Sequence, residues 1–247
     1  MTTPIVFSHA SFLTATGAHL LRTTNQYISI TPESEFHYGH THPHSHLIQD
    51  QASLGVDTHF TFSADILTQA RLWLQSVRRR LYSDVLDDWE VPDTNPMSVD
   101  QAFLLATRAG GLALRRDRDI GIIAVGAKAD LVVWNARDST SMLGWNDPVA
   151  AVVLHASVGD VESVLVDGRW RKRDGRLVGP GTDEAFRERF RASARRIQNV
   201  LIQNPSDFPR QGEIWPPSGF PVRDTVQVDI TRDNTTTGYG ETFLVVQ

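Results

Sequence analysis

Ala52-Ser53-Leu54-Gly55-Val56-Asp57-Thr58-His59 is a short apolar run that ends in a carboxylate, with a histidine two residues further on. Read as a strand, residues 52–56 are too apolar for one face to meet water, so the pattern predicts a buried strand of a parallel sheet. The C-terminal end of such a strand is where α/β folds place their ligand chemistry, and Asp57 stands there. An aspartate at a strand end also serves as a plain turn cap. What favours a site is the company it keeps.

Eight of the nine histidines, namely His9, His19, His37, His40, His42, His44, His46 and His59, fall before residue 60, and His155 is alone in the remainder. Structural histidines would scatter, so the concentration points to a site in the N-terminal quarter, although a solvated His-rich loop would produce part of it. There is no cysteine. Disulfides, thiolate zinc sites and cysteine nucleophiles are thereby excluded, and any metal must be held by His and carboxylate. Hydrophobic residues at 40% and charged residues at 21% fit a chain that buries a core, and a net charge of −5 gives no reason to expect nucleic acid or an anionic membrane as partner. No 18-residue apolar run occurs, and the first residues lack the basic start and apolar run of a signal peptide. A cytoplasmic location is the expectation.

Outward from that stretch, strands are expected at 5–7 and 27–30, with a helix from Thr14 to Arg22 between them. A polar loop is expected over 33–46. Strand, helix, strand, loop, strand is a parallel α/β order, and it sets His9, the 31–35 segment and Asp57 at three neighbouring strand ends. From Ser63 a long helix is predicted, because Ile66, Ala70, Trp73, Val77 and Leu81 recur at helical period; Trp73 reads as core, and Arg78, Arg79 and Arg80 as a solvated last turn. Ser98 to Gln101 reads as a capping box, opening a second helix that Gly110 and Gly111 end. Strands follow at 122–125 and 131–134. A hairpin is predicted around Asp167-Gly168, with a second turn at Asp174-Gly175. A helix spans Asp183 to Gln203, and Val226, Val228 and Ile230 alternate like an edge strand. The domains expected are 1–118, 119–180 and 181–247.

Four segments together resemble the metal-dependent amidohydrolase superfamily, in its deaminase and chlorohydrolase branch. They are Ile5-Val-Phe-Ser-His9, then Ser29-Ile-Thr-Pro-Glu-Ser-Glu35 with Gly39-His-Thr-His-Pro43, then Ser53-Leu-Gly-Val-Asp57, and last Gly121 to Trp134 with Val-Leu-Val-Asp-Gly168 and Asp174-Gly-Arg-Leu177. The resemblance implies a fold of the α/β class: a partial (β/α)8 TIM barrel, its last three strands and helices, followed by a small β-sandwich module. It implies that His9 ends barrel strand six and Asp57 ends strand eight, both as catalytic residues and as ligands of a divalent metal, zinc by expectation. Glu33, Glu35, His40, His42 and His59 are the residues expected around a small-molecule substrate. The implied reaction is hydrolysis of a non-peptide carbon–nitrogen bond, in which a carboxylate takes the proton of an attacking water and a neutral imidazole stabilises developing charge.

The family also requires a His-x-His pair on its first strand, and only eight residues precede His9. Three strands do not close a barrel. The chain is therefore expected to be a piece of a longer enzyme or to complete its site against another chain, a second copy included. Two other readings stand beside it. One is a non-catalytic remnant or interaction partner. The other is metal binding by the His40–His46 run alone, where His-x-His spacing on a strand sets two rings on one face, though a proline lies within the run.

Overall fold

β1 (Val6–Ser8), β2 (Tyr27–Ile30) and β3 (Ala52–Leu54) pair parallel, in that order, in the computed structural model. The structure describes residues 3–59, 61–205, 209–215 and 219–223. Phe7 lies opposite Ile28, and Ile28 opposite Ala52. The ladder runs past the strand ends, with His9 N–H donating to the Ser29 carbonyl at 2.9 Å and Gly55 N–H to that of Ile30 at 2.8 Å. Because the strands are parallel, their three C-terminal ends share one side of the sheet. There the chain carries His9, Thr31 and the 55–57 segment.

Helices connect and cover these strands. In α1 (Ala15–Thr24) the Thr14 side chain caps the first turn by accepting from Gly17 N–H at 3.1 Å, and left-handed Asn25 (φ 50°) closes the last. The 33–46 segment is not wholly loop: α2 (Pro32–His37) opens it. Proline suits a first helical turn because the N–H it lacks would have no partner there. α3 (Ile66–Leu86), capped by Asp65, buries Leu67, Ala70, Trp73, Leu74 and Val77. The three arginines do not end it. Arg78 donates to the Met97 carbonyl at 2.9 and 3.1 Å, and the helix continues beyond Arg80 to Leu86. Ser98 and Gln101 make the capping box of α4 (Val99–Ala106), while Gly110 and Gly111 lie inside α5 (Arg108–Ala113) rather than ending a helix.

The core is built on the middle strand. Ile28 and Ile30 are fully buried against Ile48, Ala52, Trp73, Leu74, Met97 and Ala102. A smaller cluster joins Leu67 to Met142, Ala151, Val152 and Ala156. The second sheet is antiparallel, in the order β4 (Leu131–Trp134), β5 (Val161–Val166), β6 (Arg169–Arg173), β7 (Arg176–Leu177). α6 (Pro148–Ala150) and a π-helical turn at Ala151–His155 come between its first two strands. Both tight turns have two consecutive left-handed residues, Asp167 (50°) with Gly168 (74°) and Asp174 (47°) with Gly175 (77°), which is the geometry that matches hairpin twist. The strand expected at 122–125 does not form: Ile123 and Val125 are fully exposed and pair with nothing in the sheet. His155 sits in the π-turn, stacked 4.0 Å from the Trp145 ring.

The chain divides into two compact units, Met1–Thr182 and Asp183–Gln247. The second contains α7 (Glu184–Gln203), capped by Asp183, and a short hairpin of β8 (Ile214–Trp215) and β9 (Phe220–Pro221). Val226, Val228 and Ile230 lie outside the described residues. Among the described residues no helix is long and apolar enough to cross a membrane.

Candidate functional site

The first turn of α2 gathers the strand ends. Thr31 leaves β2, Pro32 starts the helix, and Glu33, Ser34 and Glu35 then point in three directions. Glu35 reaches the end of β1, its Oε1 lying 3.1 Å from His9 Nδ1. Ser34 reaches the end of β3, donating to Asp57 Oδ2 at 2.5 Å. Glu33 turns to α3, accepting from Ser63 Oγ at 2.6 Å and Gln69 Nε2 at 2.9 Å while its own N–H donates to Gln69 Oε1. Glu33 therefore ties two helices together. One helical turn thus binds the side chains that end both outer strands.

Behind His9 lies a buried polar chain. Glu35 is fully buried, and its second oxygen, Oε2, meets His42 Nε2 at 2.5 Å. His42 Nδ1 in turn lies 2.9 Å from Ser45 Oγ, and its ring edge abuts Trp73 at 5.4 Å between centroids. Burial pushes the Glu35 carboxyl up, but hydrogen bonds from His42, the Thr31 backbone and His9 outweigh it and hold the carboxyl below its ordinary value. Glu35 and His42 were expected at a substrate and are instead enclosed by protein. His40 is half-buried, with Nδ1 2.8 Å from Ser11 Oγ and its ring set edgewise 5.7 Å from His9. It also lines an open cavity of about 690 Å³ bounded by Phe36, Leu72, Arg79 and Arg80. His59 is exposed in the turn after Asp57.

Three of these residues hold left-handed backbone without being glycine: His9 (φ 64°), His42 (45°) and Asp57 (58°). Such conformations cost on the order of 1–3 kcal/mol each and persist where the surroundings over-determine them. Ala10, next to His9, is a fourth at 47°. Aspartate and histidine are both enriched in this region, and alanine is not.

The structure brings His9 and Asp57 to the two flanks of one helical turn. It does not make a complete metal site. Among the described residues no three His, Asp or Glu side chains are grouped to hold an ion. The residues present therefore do not by themselves fit a zinc ion, which takes three or four protein ligands. The His40–His46 run is dispersed: His40 faces Ser11, His42 faces Glu35, and His44 is exposed. Burial pushes the His46 pKa down, and the nearby Arg80 and His44 charges push the same way. Sequence reasoning missed Ser34, Ser11, Ser45 and Gln69. The signal that placed Ser34 was present: Thr31-Pro32 followed by acidic residues is a helix start, which fixes where each of the next three side chains points.

The sequence profile of the amidohydrolase family matches residues 37–171, more than half of the chain. The chain belongs to the amidohydrolase family. Asp57 lies inside the matched stretch and His9 before it. A 5′-deoxyadenosine deaminase of Methanothermobacter thermautotrophicus is 35% identical over 95 residues, 38% of this chain and 22% of the relative. A 5-methylthioadenosine/S-adenosylhomocysteine deaminase of Acetivibrio thermocellus is 43% identical over 67 residues, 27% of this chain and 15% of the relative. Among solved structures, a zinc-bound adenosine deaminase of Xanthomonas campestris superimposes with a TM-score of 0.64 at 19% identity, over 81% of this chain and 43% of its own. An atrazine chlorohydrolase of Arthrobacter aurescens complexed with zinc gives 0.57 at 19% identity, over 78% and 40%. This amidohydrolase chain therefore spans less than half the length of the relatives it matches.

Proposed function

We propose that this chain carries the strand-six to strand-eight portion of a metal-dependent hydrolase that removes an amino group from a small molecule of the aminopurine nucleoside type. The deaminase relatives supply the substrate class. The observation that supports a site here is the single turn of α2 whose adjacent residues bind the two strand-end groups, Glu35 to His9 and Ser34 to Asp57. In this reading β1, β2 and β3 are the last strands of an eight-stranded barrel, and β4 to β7 belong to its β-sandwich. His9 and Asp57 are the two ligands that the chain contributes to a divalent-metal site, zinc by likeness to the zinc-bound neighbours. The remaining ligands come from strands paired to the open edge of β1, where Ile5 and Phe7 are exposed.

The roles follow from residue type. Asp57 is an exposed carboxylate held in one orientation by Ser34, so it accepts the proton of an attacking water and returns it to the leaving amine. His9, held by Glu35 at Nδ1, offers its other ring nitrogen to the same divalent ion. His40 and His59 flank the entrance; Glu33, Glu35 and His42 serve the site through other residues.

Calorimetric titration of zinc into the full chain tests the ligand assignment. Wild type is expected to bind weakly and saturably, Asp57→Ala and His9→Ala to lose that binding, and His44→Ala to keep it. No uptake by wild type, or uptake indifferent to Asp57 but lost with His44, contradicts it.

A further inference from the structure

His9 is held at Nδ1 and is 32% exposed, whereas the Glu35 carboxylate that holds it is wholly buried. The carboxylate is bound on both oxygens, by His9 on Oε1 and by His42 on Oε2, with Ser45 behind His42. We propose that Glu35 is a positioning residue: it keeps the proton of His9 on Nδ1 and leaves the lone pair on Nε2, the nitrogen available to the site. The proposal deepens the reading of His9 as a site residue and rests on it.

The assignment follows from counting donors. An ionised carboxylate only accepts, so the nitrogen facing each oxygen carries a hydrogen. Whichever partner of the close Glu35–His42 pair holds their shared proton, Oε1 remains the acceptor toward His9. The converse tautomer would set the Nδ1 lone pair against an oxygen of the wholly buried carboxylate 3.1 Å away. Thr31 Oγ1, 3.0 Å from the same nitrogen, accepts a share of the same N–H. His42 is then protonated on Nε2, and its Nδ1 accepts from Ser45. Both oxygens of Glu35 and both ring nitrogens of His42 then have a partner of the right kind. Carboxylates placed behind a histidine in this way fix its tautomer and ring plane and raise its basicity.

Nitrogen NMR of the full chain labelled in its histidine rings reads the tautomer directly. The wild-type His9 signal, assigned by its loss in His9→Ala, is expected to be that of an Nδ1–H ring. Glu35→Ala should move it toward the Nε2–H form, and Glu35→Gln, whose amide oxygen still accepts, should retain Nδ1–H. An Nε2–H ring in wild type, or an unchanged ring in a folded Glu35→Ala protein, overturns the proposal. Should Glu35→Ala fail to fold, the wild-type and Glu35→Gln spectra decide it. If the Asp57 and His9 variants leave zinc binding untouched, the function proposed above fails, while the tautomer is still read independently.

Discussion

Trp73 shows how one residue serves both core and site. Trp73 is 1% exposed, its Nε1–H donates to Gln49 Oε1 at 3.1 Å, and its ring packs nearly perpendicular to that of His42. Deleting a buried tryptophan costs on the order of 3–5 kcal/mol, a large share of the roughly 5–15 kcal/mol that holds a domain folded. Trp73→Ala is therefore expected to lower the urea midpoint steeply, and Trp73→Phe, which keeps most of the volume, to lower it less. An unchanged midpoint in Trp73→Ala would mean that the tryptophan is not at the centre of this core. Its burial was legible in the sequence, because it lies on a 3.6-residue stripe. The position of Asp57 at a strand end was legible too. The pairing of Glu35 with His42 was not: the path between them leaves a helix and passes through left-handed backbone at His42, and no periodicity reports such a path.

At the scale of elements, strands and helices with internal periodicity or a cap were readable, and elements that depend on a neighbour were not. Thr14, Asp183 and the Ser98–Gln101 box start helices as the residue types predict. The apolar run at 122–125 reads like a strand, but a strand needs a partner ladder, and this segment has none in the sheet. Gly110 and Gly111 read like a helix end, yet α5 continues through both, and only Gly111 is closely packed. A Cβ on Gly111 would lie 2.7 Å from the Ile120 carbonyl oxygen, whereas one on Gly110 would meet nothing. Overpacking against fixed backbone costs typically 1–3 kcal/mol, and alanine in an open helical position gains about 0.5–1 kcal/mol. Gly111→Ala should therefore destabilise and Gly110→Ala should not, as measured by thermal unfolding. Equal effects would contradict the close contact of α5 with Ile120.

For the whole molecule, the exposed apolar groups follow a pattern. Ile5, just before β1, Val6 and Phe7 on it, and Phe12 and Leu20 beyond it are exposed, and so are Val132, Val133 and Val166 on the second sheet. Exposed apolar side chains grouped along β1 suit packing by another element, and the edge of β1 offers backbone groups to another strand. On the function proposed above, the two strand-end residues and the edge of β1 belong to a deaminase portion completed by further strands. The most direct test uses the protein as its source cells make it: its zinc content, and the ammonia it releases from adenosine-type nucleosides, wild type against Asp57→Ala. The account predicts bound zinc and ammonia release in the wild type, with both lost in Asp57→Ala. Wild-type protein with neither, or an Asp57→Ala protein that keeps both, would contradict it.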